Sequence, residues 1–108
     1  MAEKEKSEEV IRVPLPKREE GEIFGIVDKM LGGGRMMVLC EDGVSRMARI
    51  PGKIRRRMWI KEGDVVIVKP WDFQPEKADV IYRYNITQVS YLMRNNMLPE
   101  LLQNILGE

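Results

Sequence analysis

A chain of 108 residues with 44% hydrophobic side chains is long enough for one domain with a core and too short for two ordinary ones. One cysteine and no histidine exclude an internal disulfide and a thiolate or imidazole metal cluster. No apolar run approaches the ~20 residues of a membrane helix, and the mixed-charge start lacks the apolar segment of a secretory signal, so a cytoplasmic protein is expected. The formal net charge of +1 conceals segregation. Residues 1 to 22 hold seven acidic and five basic side chains, whereas residues 45 to 61 hold seven basic ones (Arg46, Arg49, Lys53, Arg55, Arg56, Arg57, Lys61) and no acid. Screening limits charge interactions to roughly 10 Å at ordinary salt, so a distant acidic segment does not cancel the local positive field.

In chain order, residues 1–20 are charged, poor in aromatics and interrupted by Pro14 and Pro16, a composition that reads as a flexible tail. Short β-rich runs begin at residue 21. The first, Ile23 to Val27, leads to the triplet Gly32-Gly33-Gly34, and the second runs from Arg35 to Cys40. Glu41-Asp42-Gly43 reverses the chain, with Asp-Gly supplying the positive φ of a hairpin turn, into a third run from Val44 to Ile50. Lys53 to Trp59 reads as a short helical turn or ordered loop. Two further strands are expected at Val65 to Lys69 and Ala78 to Tyr84, joined by a polar loop from Asp72 to Lys77. After Tyr84 the apolar period lengthens. Val89, Leu92 and Met93 share a helical face that Asn85 and Gln88 cap at its start, with Asn95-Asn96 as its left-handed stop. Pro99 opens a second helix with Leu101, Leu102, Ile105 and Leu106 in one stripe.

The pattern predicts an all-β core: a five-stranded OB-fold barrel over residues 21–84, a short helical segment after the third strand, and C-terminal helices over 85–108 packed on the barrel. Closure removes exposed sheet edges. Gly25 inside the first strand suits the kink or close backbone approach that closure demands.

Clustered cations repel one another and weaken a fold that has no anionic partner, so the stretch from Arg46 to Lys61 points to RNA. The preponderance of arginine favours forked contacts to phosphate and stacking on bases. Trp59 has two readings, a platform for an unpaired base or a cover for the barrel. Phe24, Tyr82 and Tyr84 fall in strands and read as packing residues, while Trp71 and Phe73 at a strand end stay ambiguous. Gly32, Gly33 and Gly34, flanked by Lys29 and Arg35, form a side-chain-free tip suited to a shallow RNA groove; no Gly-Lys-Ser/Thr follows to make a nucleotide-cradling loop. Cys40 reads as a small buried hydrophobe. Asp72, Glu76 and Asp79 read as a polar loop and strand start in preference to a magnesium site. Without histidine or a paired set of catalytic groups, neither catalysis, cofactor nor metal is expected.

Four blocks in fixed order carry a resemblance: Lys29-Met30-Leu31-Gly32-x-Gly34-Arg35; Asp42-Gly43-Val44-x-Arg46; Ile50-x-Gly52-Lys53-Ile54-Arg55-Arg56-Arg57-Met58-Trp59-Ile60; and Lys77-Ala78-Asp79-Val80-Ile81-x-x-Tyr84-Asn85. Over roughly residues 20 to 100 the chain resembles the archaeal and eukaryotic translation initiation factor 1A family, whose S1-like barrel is related to bacterial initiation factor 1. The resemblance implies binding to the A-site RNA of the small ribosomal subunit, initiator tRNA recruitment and start-site selection, beside other initiation factors and as a monomer. Carried over by position, the RNA surface comprises Gly32 to Arg35, Arg46 and the Lys53 to Trp59 segment with Arg55, Arg56 and Arg57; the charge pattern adds Lys29, Arg49 and Lys61. The chain ends at Leu106-Gly107-Glu108 without a long acidic tail, which resembles the archaeal type. Two other readings compete: a general single-strand nucleic-acid module, and an adaptor acting through the C-terminal leucine stripe.

Overall fold

The structure, a computed structural model, describes residues 13–52 and 59–107. Its five strands are β1 (Ile23–Gly32), β2 (Arg35–Cys40), β3 (Ser45–Arg49), β4 (Val65–Pro70) and β5 (Lys77–Arg83), followed by helices α1 (Ile86–Arg94) and α2 (Glu100–Leu106). The strands close into a barrel in the order β1-β2-β3-β5-β4, with β4 returning to β1. All pairings are antiparallel except β3 with β5, where Met47, Ala48 and Arg49 face Lys77, Ala78 and Asp79 in parallel. That order with its single parallel closure is the OB-fold expected from the run of strands. The short helical segment expected after β3 lies outside the described residues.

Closure depends on Gly25, which faces Cys40 on one side and Val66 on the other. A Cβ built there would overlap Val38 Cγ1, so the wall of the barrel comes too close for any side chain. β1 then continues past the expected Val27 to Gly32, with Asp28 left out of register as a bulge. Gly33 and Gly34 carry the reversal, both at positive φ (62° and 75°), the backbone that a two-residue hairpin turn requires.

Among the described residues, two apolar clusters account for the burial. The first fills the barrel with Val27, Met36, Val38, Cys40, Ala48, Ile50, Val66, Val68, Ala78 and Val80. The second lies outside β1 and β4, where Phe24, Ile26, Val65 and Ile67 meet Tyr84 and the helical-region residues Leu92, Leu98 and Leu102. Val65 to Val68 are therefore all buried because successive residues enter different clusters. Asn85 and Gln88 form the reciprocal cap of α1, and Asn96 takes the left-handed conformation (φ 56°) beyond its end.

The described part of the expected tail departs from that reading. Val13 packs on the second cluster, the Tyr84 hydroxyl donates to the Pro14 carbonyl, and Arg18–Glu20 form a 3-10 turn. Arg18 Nη1 reaches Glu41 Oε2 at 2.8 Å, while Glu41 Oε1 accepts from the Phe24 amide at 2.8 Å. These bonds bind the segment to the barrel wall despite its charge, because its few apolar and backbone groups fit that wall.

Candidate nucleic-acid interface

Alternation in β2 and β3 sends Met36, Val38, Cys40 and Ala48 inward and leaves Arg35, Met37, Leu39, Ser45, Met47 and Arg49 facing outward. The register aligns these outward residues into rows. Arg35 lies opposite Arg49, and Met37 opposite Met47; the methionine row extends to Lys29 on β1 and Lys77 on β5. Two thioether side chains thus have cations at both ends of their row and along one side, with Leu39 and Ser45 along the other. Like charges directly opposite one another across strands are destabilising; Asp79 offsets that cost at Arg49, and an anionic ligand would relieve what remains at Arg35.

The loop between β4 and β5 rises beside this face. The Trp71 ring lies 4.9 Å from the guanidinium carbon of Arg49 and 5.5 Å from Lys77 Nζ. One carboxylate oxygen of Asp79 accepts from Arg49 Nε at 3.0 Å and from Trp71 Nε1 at 3.1 Å, which fixes cation and ring together. A shallow groove of about 510 Å³ opens on one side, lined by Arg49, Lys69, Trp71, Phe73 and Gln74 together with the carboxylates of Asp72 and Asp79. A smaller one of about 210 Å³, lined by Arg35, Met47, Arg49, Trp71 and Lys77, lies on the other. Phe73 stands at the loop tip, 98% exposed. Apolar ledges edged by cations match the demands of unpaired nucleotides, whose bases stack while their phosphates pair.

The residues anticipated from sequence fall into three groups. Lys29, Gly32, Gly33, Gly34, Arg35 and Arg49 cluster at the β1–β2 hairpin tip and on the adjoining outer face. Trp59, 83% exposed, and Lys61 are on the surface, so Trp59 does not cover the barrel. Lys53, Arg55, Arg56 and Arg57 lie outside the described residues. Arg46 is placed differently: it is 8% exposed, its two terminal nitrogens donate to the carboxylate of Asp42 at 3.1 and 2.9 Å, and Nε donates to the Pro75 carbonyl at 2.6 Å. Its guanidinium is therefore occupied within the fold. The run without an acid in sequence also gains acids in space, Asp42 for Arg46 and Asp79 for Arg49.

Sequence reasoning missed Met37, Met47, Lys69 and Lys77, and left Trp71 and Phe73 open. An aromatic pair two residues apart in a polar loop was the available signal; the strand register that adds the methionines was not. Cys40 is fully buried, and desolvation raises its thiol above the ordinary range, as befits a packing residue. Among the described residues no group of carboxylates, cysteines or histidines is arranged to hold a metal ion, and no helix is long and apolar enough to cross a membrane.

Comparison with known proteins follows the same line. The family model described as translation initiation factor 1A / IF-1 matches residues 11–105. Translation initiation factor 1A of Thermoplasma acidophilum is 63% identical over 98 residues, covering 91% of this chain and 82% of that one. The Methanopyrus kandleri factor of the same name is 58% identical, covering 90% and 86%, and that of Saccharolobus islandicus strain L.S.2.15 is 44% identical, covering 99% and 100%. The solution structure of bacterial translation initiation factor 1 from a Wolbachia endosymbiont of Brugia malayi superposes with a TM-score of 0.48 at 26% identity, covering 68% of this chain and 92% of that one. Across nearly its whole described length, the chain belongs to the translation initiation factor 1A / IF-1 family.

Proposed function

We propose that this initiation factor binds the A-site region of the small ribosomal subunit in the cytoplasm and there, as a monomer, promotes initiator tRNA recruitment and start-site selection beside other initiation factors. The face formed by β2, β3 and the β4–β5 loop would lie against ribosomal RNA. One observation carries this reading: Arg35 opposes Arg49 across the sheet, with Lys29, Lys77 and Trp71 around the same methionine row. Asp79 pairs with Arg49, and phosphate would neutralise the cations around it that have no acid partner among the described residues. The same reading assigns RNA contacts to Lys53, Arg55, Arg56, Arg57, Trp59 and Lys61, and Gly32 to Gly34 would let the hairpin tip approach a groove closely.

The test is co-sedimentation with purified small and large subunits, with excess unstructured RNA as competitor. Saturable binding to small subunits that survives the competitor is expected. It should be abolished in a correctly folded Lys29→Glu/Arg35→Glu variant, and in the milder single variants Lys29→Gln and Arg35→Gln its dependence on salt should shrink by about 0.7 to 0.9 in logarithmic slope for each phosphate contact removed. The exposed Phe73 and the groove beside Trp71 favour a second reading, a general single-strand binding module. Equal loss of binding to any unstructured RNA or DNA would establish that reading in place of the first.

A further inference from the structure

The β4–β5 loop places Trp71 and Phe73 beside the candidate face, yet little burial holds it there. Phe73 is 98% exposed, and residues 72 to 76 are all on the surface. Backbone bonds shape the loop: Trp71 N–H to the Lys77 carbonyl, Lys77 N–H to the Gln74 carbonyl, and Met47 N–H from β3 to the Glu76 carbonyl, the last at 3.0 Å. A further tie is the side chain of Arg46. Its Nε donates to the Pro75 carbonyl, while its other nitrogens grip Asp42, which itself accepts from the Val44 amide at 3.1 Å. Arg46 is thus a strut between the β2–β3 turn and the loop, anchored at both ends by charge-assisted bonds. Planarity suits it to the task, since the two edges of a guanidinium address Asp42 and Pro75 at once.

We propose that Asp42 and Arg46 are positioning residues. By holding the Pro75 carbonyl they fix the β4–β5 loop, and with it Trp71 and Phe73, in the arrangement that RNA requires, without touching RNA themselves. The inference rests on the RNA-binding reading of this face but differs from a direct-contact role for Arg46 in what it predicts. Asp42→Asn makes the protein more positive. Long-range attraction to phosphate would then tighten binding, whereas loss of the strut weakens it.

The experiment compares the full chain with Asp42→Asn, Arg46→Met, the double variant and Arg35→Gln, measuring affinity for small subunits over a range of salt. Each is first shown to be folded by circular dichroism, and its binding-competent fraction is fixed by stoichiometric titration with small subunits. Asp42→Asn and Arg46→Met should each weaken binding by about 3- to 30-fold, leave the salt slope unchanged, and cost no more in combination than Arg46→Met alone. Arg35→Gln, a phosphate contact, should instead lower the slope by about 0.7 to 0.9. In the free protein, hydrogen exchange should accelerate at the Met47, Trp71 and Lys77 amides of the two strut variants and stay unchanged in β1. Asp42→Asn binding as tightly as the unmodified chain, a reduced slope for Arg46→Met, or unchanged exchange at the loop would each overturn the proposal. Failure of the unmodified chain to bind small subunits would instead refute the RNA reading, and the exchange pattern would still decide whether the pair sets the loop.

Discussion

At Gly25 the barrel admits no side chain, since even a methyl group would overlap Val38. Gly25→Ala should destabilise the fold by about 1 to 3 kcal/mol, the cost of overpacking a wall that cannot retreat, seen as a lower urea midpoint with an unchanged m value. Asp42 offers a prediction in pH. Arg46 holds its carboxyl below the usual range, so the unfolded chain binds that proton more readily than the folded one. The resulting stabilisation is present above pH about 4 and is lost as pH falls toward the lower folded value. Asp42→Asn should therefore flatten the acid limb of stability measured by urea unfolding between roughly pH 2 and 7, and leave the alkaline limb as it was. Gly25 was legible in the sequence because a glycine amid Ile23, Phe24, Ile26 and Val27 demands a reason. Arg46 was not: a basic residue in a basic run looks like a surface cation, and only the Asp-Gly turn, folded back four residues earlier, takes it inside.

At the scale of elements, α1 and α2 exist to cover β1 and β4. Leu102 is fully buried in the second cluster whereas Leu101, beside it, is 38% exposed. Leu102→Ala should cost about 2 to 5 kcal/mol and Leu101→Ala less than about 0.5 kcal/mol, a difference that thermal unfolding of the two variants would resolve. A helical stripe, a capping pair and a left-handed stop were all readable from residues 85–106, because each depends on neighbours within one or two turns. Strand boundaries were less so. β1 runs five residues beyond its apolar stretch because its far half pairs with β2 through backbone bonds alone, with its side chains in solvent. Nor does the run Val65 to Val68 say what covers each face; that is decided by β1 and the helices together.

For the whole molecule, the candidate face combines residues from β1, β2, β3, β5 and the β4–β5 loop. Composition announced its cations, but the acids that temper them come from elsewhere in the chain, Asp79 reaching Arg49 across thirty positions. The thioether part of the surface emerged only with the register. Closure also sets an order in time. Residues Ile23 to Ile26 pair with Val65 to Val68, and the Pro14 carbonyl receives its bond from Tyr84. During synthesis the first strand made must wait, with one edge unsatisfied, until the fourth has emerged. Its best protection meanwhile is partial, the hairpin with β2 on its other side. Refolding should be slow for so small a chain, on the order of milliseconds to seconds, and a growing concentration of half-made barrels should aggregate through β1, the edge that the finished barrel conceals.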